Sequence, residues 1–133
     1  MNGEEYRRTV LDLLQGLRAR IVERVVGEIP SVASSAGRAA GGKEYLDLVS
    51  VFISLNDGIG GEPVDISLRV RRTGGDDEIE MDICEESGSV VYGAPKMKVA
   101  GESTPEFAVA EVERMVRENY REIILRIRGL HSY

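Results

Sequence analysis

A chain of 133 residues is the size of one domain and can bury about two thirds of its unfolded surface, and its 42% hydrophobic and 30% charged residues exclude a disordered tail. With 17 Lys and Arg against 23 Asp and Glu the formal charge is −6, which argues against a nucleic-acid partner. A single cysteine (Cys84), the charged opening Glu4, Glu5, Arg7 and Arg8, and the lack of any run of about eighteen apolar residues argue against disulfides, a secretory leader and a membrane span, so a cytoplasmic location is expected.

Residues 4–28 carry Val10, Leu13, Leu14, Leu17, Ile21 and Val25 at steps of three and four, one apolar face of a helix that Pro30 must end. Glu4 and Arg8 are spaced as a weak helical pair. The small, glycine-rich stretch 31–42 is expected to be a flexible connector. Residues 43–56 then read as a strand, with Tyr45, Val49, Val51, Ile53 and Leu55 on one face. Its other face also holds apolar residues, namely Leu46, Leu48 and Phe52.

Strict alternation follows. Val64, Ile66, Leu68 and Val70 alternate with Asp65, Ser67, Arg69 and Arg71, and Ile79, Met81 and Ile83 alternate with Glu78, Glu80 and Asp82. Each stretch therefore predicts a strand with one apolar and one wet face. Gly74-Gly75 between them suits a two-residue hairpin turn, because glycine adopts positive φ without steric penalty. The resulting register sets Val70 against Ile79, Leu68 against Met81 and Ile66 against Ile83. On the wet face it sets Arg69 against Glu80 and Arg71 against Glu78, and a slip by one residue would bury those charges.

A turn at Ser87-Gly88 leads to an extended stretch at 89–92, a break at Gly93-Ala94-Pro95 and a second extended stretch at 96–99. These are one kinked edge strand or two short ones. Ser103 with Glu106 fits a capping box for the last helix, and Pro105 suits its first turn. Its stripe is Val109, Val112, Met115, Val116, Tyr120, Ile123 and Ile127. Glu113 with Arg117 and Glu122 with Arg126 are spaced as surface pairs, and Gly129 is a C-terminal stop.

The expected architecture is α+β in one domain, 1–133, with the order α-β-β-β-β-α. It is an antiparallel four-stranded meander sheet flanked by N-terminal and C-terminal amphipathic helices.

The chemical motifs are sparse. The stretch from Gly37 to Glu44 approaches a phosphate-binding loop, but Glu44 stands where Ser or Thr must hold Mg²⁺, and the segment enters a strand instead of opening a helix. Gly58 to Gly61 lacks the strand-to-helix setting of a dinucleotide site. His131 is the one histidine, so neither a zinc set nor a base for a Ser or Cys nucleophile is in view, and Asp76, Asp77 and Glu78 lack calcium-loop spacing. No metal, cofactor or catalytic residue is expected.

Seven carboxylates and no base occupy residues 76–86: Asp76, Asp77, Glu78, Glu80, Asp82, Glu85 and Glu86. Removing them from a formal charge of −6 leaves +1. One reading is protection of a sheet edge. The other is a docking surface for a basic protein partner, which would make the chain a non-enzymatic binding module of immunity, inhibitor, chaperone or adaptor type. Two alternatives stand beside it. One is a small-ligand or hydrolytic enzyme using Asp57, Glu80 or Asp82 near the Gly58–Gly61 loop. The other is self-association, for instance as a homodimer, through Leu46, Leu48 and Phe52. That patch is exposed if both helices cover one side of the sheet and is ordinary core if one helix covers each side.

Overall fold

The first helix, α1 (Gly3–Glu28), buries Tyr6, Val10, Leu14, Leu17, Ile21 and Val25 along one stripe, whereas Leu13 is only partly buried. Glu4 and Glu5 sit in its first turn, where the helix dipole favours negative charge. The Arg8–Glu4 pair forms at 3.4 Å between exposed side chains and contributes little. The computed structural model describes residues 3–34, 48–56, 64–73, 76–85, 90–94, 97–99 and 104–129.

The connector expected at 31–42 begins with ordered backbone. The Val32 amide donates to the Ile29 carbonyl at 2.9 Å, and a two-residue strand, β1 (Ala33–Ser34), pairs with Asn56 and Leu55. The rest of that stretch lies outside the described residues. So do the two-glycine turn, Ser87-Gly88 and Ser103.

Three longer strands follow, β2 (Leu48–Asn56), β3 (Val64–Thr73) and β4 (Asp76–Glu85), joined as an antiparallel meander. The register is the expected one: Val70 faces Ile79, Leu68 faces Met81, and Ile66 faces Ile83. β2 extends each row, with Val49 beside Val70, Val51 beside Leu68 and Ile53 beside Ile66. All nine of these side chains are buried. A fully buried aliphatic side chain contributes about 1.5–3 kcal/mol relative to an exposed one, so the rows lock the register against a slip.

The expected fourth strand is two short ones on the same edge. β5 (Val90–Gly93) pairs with Asp82 to Cys84 and β6 (Met97–Val99) with Asp77 to Ile79, while the Ala94 amide donates to the Met81 carbonyl at 3.0 Å between them. A register shift at Ile83/Cys84 accompanies the change.

The C-terminal helix is likewise divided, into α2 (Pro105–Glu118) and α3 (Tyr120–Ile127). Its N-cap is Thr104, not Ser103. Thr104 is extended (φ −75°, ψ 159°), and its Oγ1 accepts from the Phe107 amide at 3.1 Å. A proline disfavours helical backbone in the residue before it, so Pro105 at the first helical position fixes the cap at 104. The break falls at Asn119 (φ −110°, ψ 12°), whose Nδ2 donates to the Met115 carbonyl at 2.7 Å and whose Oδ1 accepts from the Tyr92 hydroxyl of β5. Such side-chain bonds compete with the helical ladder. Gly129, at φ 68°, ends the helix as expected.

α1 packs on β2, α2 packs on β3 and β4, and the two helices touch each other. Helices in mutual contact lie on one side of a sheet. A single core joins them to Val49, Val51, Ile53, Leu55, Ile66, Leu68, Val70, Ile79, Met81 and Ile83. The question left open by the sequence is thereby answered: both helices share one face, and the opposite face carries no described helix.

Candidate functional site

Alternation along each strand sends the remaining side chains to the face that carries no described helix. Across the three strands they form rows: Ser50 with Arg69 and Glu80, Phe52 with Ser67 and Asp82, and Ser54 with Asp65 and Cys84. A fourth row runs from Leu48 through Arg71 and Glu78 to Lys98 of β6. Read along the strands, the face is a column of apolar and hydroxyl residues on β2, a mixed column of Asp65, Ser67, Arg69 and Arg71 on β3, and a mainly acidic column, Glu78, Glu80, Asp82 and Cys84, on β4.

Arg69 ties two of these columns together. Its Nη2 lies 2.7 Å from Glu80 Oε2 and also donates to Asp82 Oδ2, so one guanidinium engages two carboxylates. Reaching both requires the side chain to lie along the sheet and not away from it. This face is consequently drier than simple alternation implies: Glu80 is 7% exposed and Ser67 3%. The Nε atoms of Arg69 and Arg71 and Oγ of Ser67 are buried without a hydrogen-bond partner among the described residues. Phe52 is half-buried beside them.

The seven carboxylates of residues 76–86 do not form one outward surface. Asp76 is exposed and Glu78 half-buried, while Glu80 and Asp82 are held by Arg69. Asp77 is 0% exposed and faces the helix layer, where the Tyr6 hydroxyl donates to its Oδ2. Its numbering shows why. Asp77 has the parity of Ile79, Met81 and Ile83, so the alternation that sends Glu78 outward sends Asp77 inward. Tyr6 was not legible as its partner from sequence, because the two residues are 71 positions apart. Glu86 and Leu46 lie outside the described residues, as do the side chains of Glu85 and Leu48.

Cys84 is half-buried on the same face. Burial, and then the negative charges of Asp82 and Asp65, push its thiol pKa above the ordinary 9.0, with Arg69 opposing. A thiol so shifted is a weaker nucleophile at neutral pH. Asp57 and the Gly58–Gly61 loop lie outside the described residues. Among the described residues no group of three or more His, Cys, Asp or Glu side chains could hold a metal ion, and no helix is long and apolar enough to cross a membrane. Comparison of the chain with protein-family models, with curated proteins and with solved structures found no match.

Proposed function

We propose that the chain is a non-enzymatic protein-binding module of immunity, inhibitor, chaperone or adaptor type, which meets a basic protein partner with the face of its sheet that carries no described helix. The observation that supports this reading is the sharing of one face by both helices. It leaves Phe52 two columns from the carboxylates of Glu78, Glu80 and Asp82. Energetically dominant contacts concentrate in aromatic and other large side chains ringed by polar ones. Carboxylates gathered in one column speed the approach of a basic partner. Arg69 pre-orders Glu80 and Asp82, which lowers the entropy lost when a partner docks. The lone cysteine and the lack of a membrane-crossing helix among the described residues fit a cytoplasmic place of action.

Affinity capture from the native host with wild type and with Asp76→Lys combined with Glu78→Lys tests the reading while leaving the Arg69 clamp intact. The expected result is a basic protein held by wild type and lost from the variant. Equal capture by both would remove it.

A second reading, self-association through Leu46, Leu48 and Phe52, is favoured by the position of Phe52 on a face without a described helix. Light scattering on wild type and Phe52→Glu separates the two readings. A strictly monomeric wild type ends the second.

A further inference from the structure

On the helix layer, α1 and α2–α3 enclose a groove whose floor is Leu17, Ile21, Val116 and Tyr120, each 7% exposed or less. Its rim carries Arg20 and Arg24, one turn apart on α1, and Glu113 and Arg117, one turn apart on α2. The sequence spacing predicts a Glu113–Arg117 pair. The structure instead joins Glu113 to Arg20 across the helices, with Arg20 Nε and Nη2 donating to Oε2 at 3.1 and 2.9 Å. No ion pair joins Arg117 to a carboxylate among the described residues. The guanidinium of Arg24 lies over the Tyr120 ring, 3.7 Å from its centroid. A cation held on an aromatic face keeps its N–H edges available to other acceptors. Glu28 stands near the Tyr120 hydroxyl, so the positive excess is local and is set by Arg24 and Arg117.

We propose that this groove is a second docking site, and that its occupant is an acidic peptide segment of a partner protein bearing one apolar anchor residue. Three guanidiniums against one carboxylate on the rim call for negative charge in the occupant. The groove offers about 120 Å³ of room. That is well below the roughly 300–1,000 Å³ of small-molecule sites, and close to the roughly 150 Å³ that holds a single benzene ring. One Leu, Met or Phe side chain fills such a space against the apolar floor, while flanking Asp or Glu residues reach Arg24 and Arg117. Arginine and tyrosine are also the residue types most enriched where interfaces concentrate their binding energy. Glu78, Glu80 and Asp82 lie across the sheet from the helix layer, and exposed charges more than about 8 Å apart are largely screened at physiological salt. The net charge of −6 therefore does not forbid an acidic partner at this place.

The test uses short fluorescein-labelled peptides with the full chain: a glutamate-rich peptide with a central Leu, the same peptide with Ser for that Leu, and a lysine-rich counterpart. Saturable anisotropy accompanied by amide shifts at Leu17, Ile21, Val116 and Tyr120 is expected for the first alone, and the lysine-rich peptide should leave those four amides unmoved. Arg24→Glu combined with Arg117→Glu changes two exposed side chains, so the fold should melt as wild type does. Affinity should fall by about tenfold or more in that variant. Should the variant fail to fold, the Leu-to-Ser peptide on wild type carries the same test. No saturable binding of the glutamate-rich peptide, movement of the same four amides by the lysine peptide, equal affinity of the folded variant, or glutamate-peptide shifts confined to β2–β4 would overturn the proposal. Lysine-peptide shifts confined to β2–β4 would report on the sheet face and not on this groove, so failure of one surface is read separately from failure of the other.

Discussion

Asp77 is the residue at which charge and alternation disagree, and alternation prevails. Its side chain enters the helix side of the sheet, and the Tyr6 hydroxyl meets it there, joining the first turns of α1 to the start of β4. A buried carboxylate that loses a donor retains its desolvation penalty, so Tyr6→Phe should lower stability by about 1–3 kcal/mol. Removing both polar partners is milder than removing one. Tyr6→Phe combined with Asp77→Leu should therefore recover part of that loss, which urea melts of the three proteins would show. Equal stability of wild type and Tyr6→Phe would mean that the hydroxyl does nothing for Asp77. The inward turn of Asp77 was legible from its parity with Ile79, Met81 and Ile83, although it stands between the outward-facing Asp76 and Glu78. Arg69 was half legible: the register gave Glu80, whereas Asp82 sits one pleat along and is reached only because the side chain lies along the sheet.

Among the elements, those with strict periodicity were legible and those governed by one polar side chain were not. The β3–β4 register followed from rows of Ile, Leu, Val and Met that only one alignment buries. The break at Asn119 left no mark on the periodicity, because Met115, Val116, Tyr120 and Ile123 keep helical spacing through it. The cap of α2 fell one residue from its expected place for a local reason, the restriction that Pro105 puts on its predecessor. Thr104→Ala removes the acceptor for the Phe107 amide and should destabilise the protein by about 1 kcal/mol, with Thr104→Ser close to wild type. Thermal melts of the two variants decide it. An alanine variant as stable as wild type would show that the Phe107 amide finds water as good a partner as Thr104.

At the scale of the molecule, the amphipathic patterns said that each helix has one apolar face but not which side of the sheet it covers. That choice rests on contacts between α1 and α2, whose nearest ends, Glu28 and Pro105, lie more than seventy positions apart in sequence, and it decides whether Phe52 is core or surface. Two weak acids behave alike, Tyr120 buried in the helix layer and Cys84 half-buried on the opposite face of the sheet. Burial, with help from Asp82, raises the pKa of Cys84 above 9.0, and burial, with help from Glu28, raises that of Tyr120 above 10.0. Below those ordinary values both groups are protonated in folded and unfolded chains, and their contribution to stability is fully present. As the pH climbs past them, the unfolded chain releases its protons first while the folded chain still holds them, so stability falls. The loss should begin near pH 9.0 for Cys84 and near pH 10.0 for Tyr120, and should continue upward through the raised folded values. Lysine deprotonation, at about pH 10.4, overlaps this window, so the comparison is with Cys84→Ser combined with Tyr120→Phe, which lacks both acids and keeps every lysine. Glu28, the acceptor nearest the Tyr120 hydroxyl, is exposed and makes no well-aligned bond to it, so phenylalanine leaves no buried partner unsatisfied. Melting temperatures followed from about pH 8 to about pH 11 should fall more steeply for wild type than for the double variant. Parallel curves would mean that neither proton is held more tightly in the folded chain than in the unfolded one.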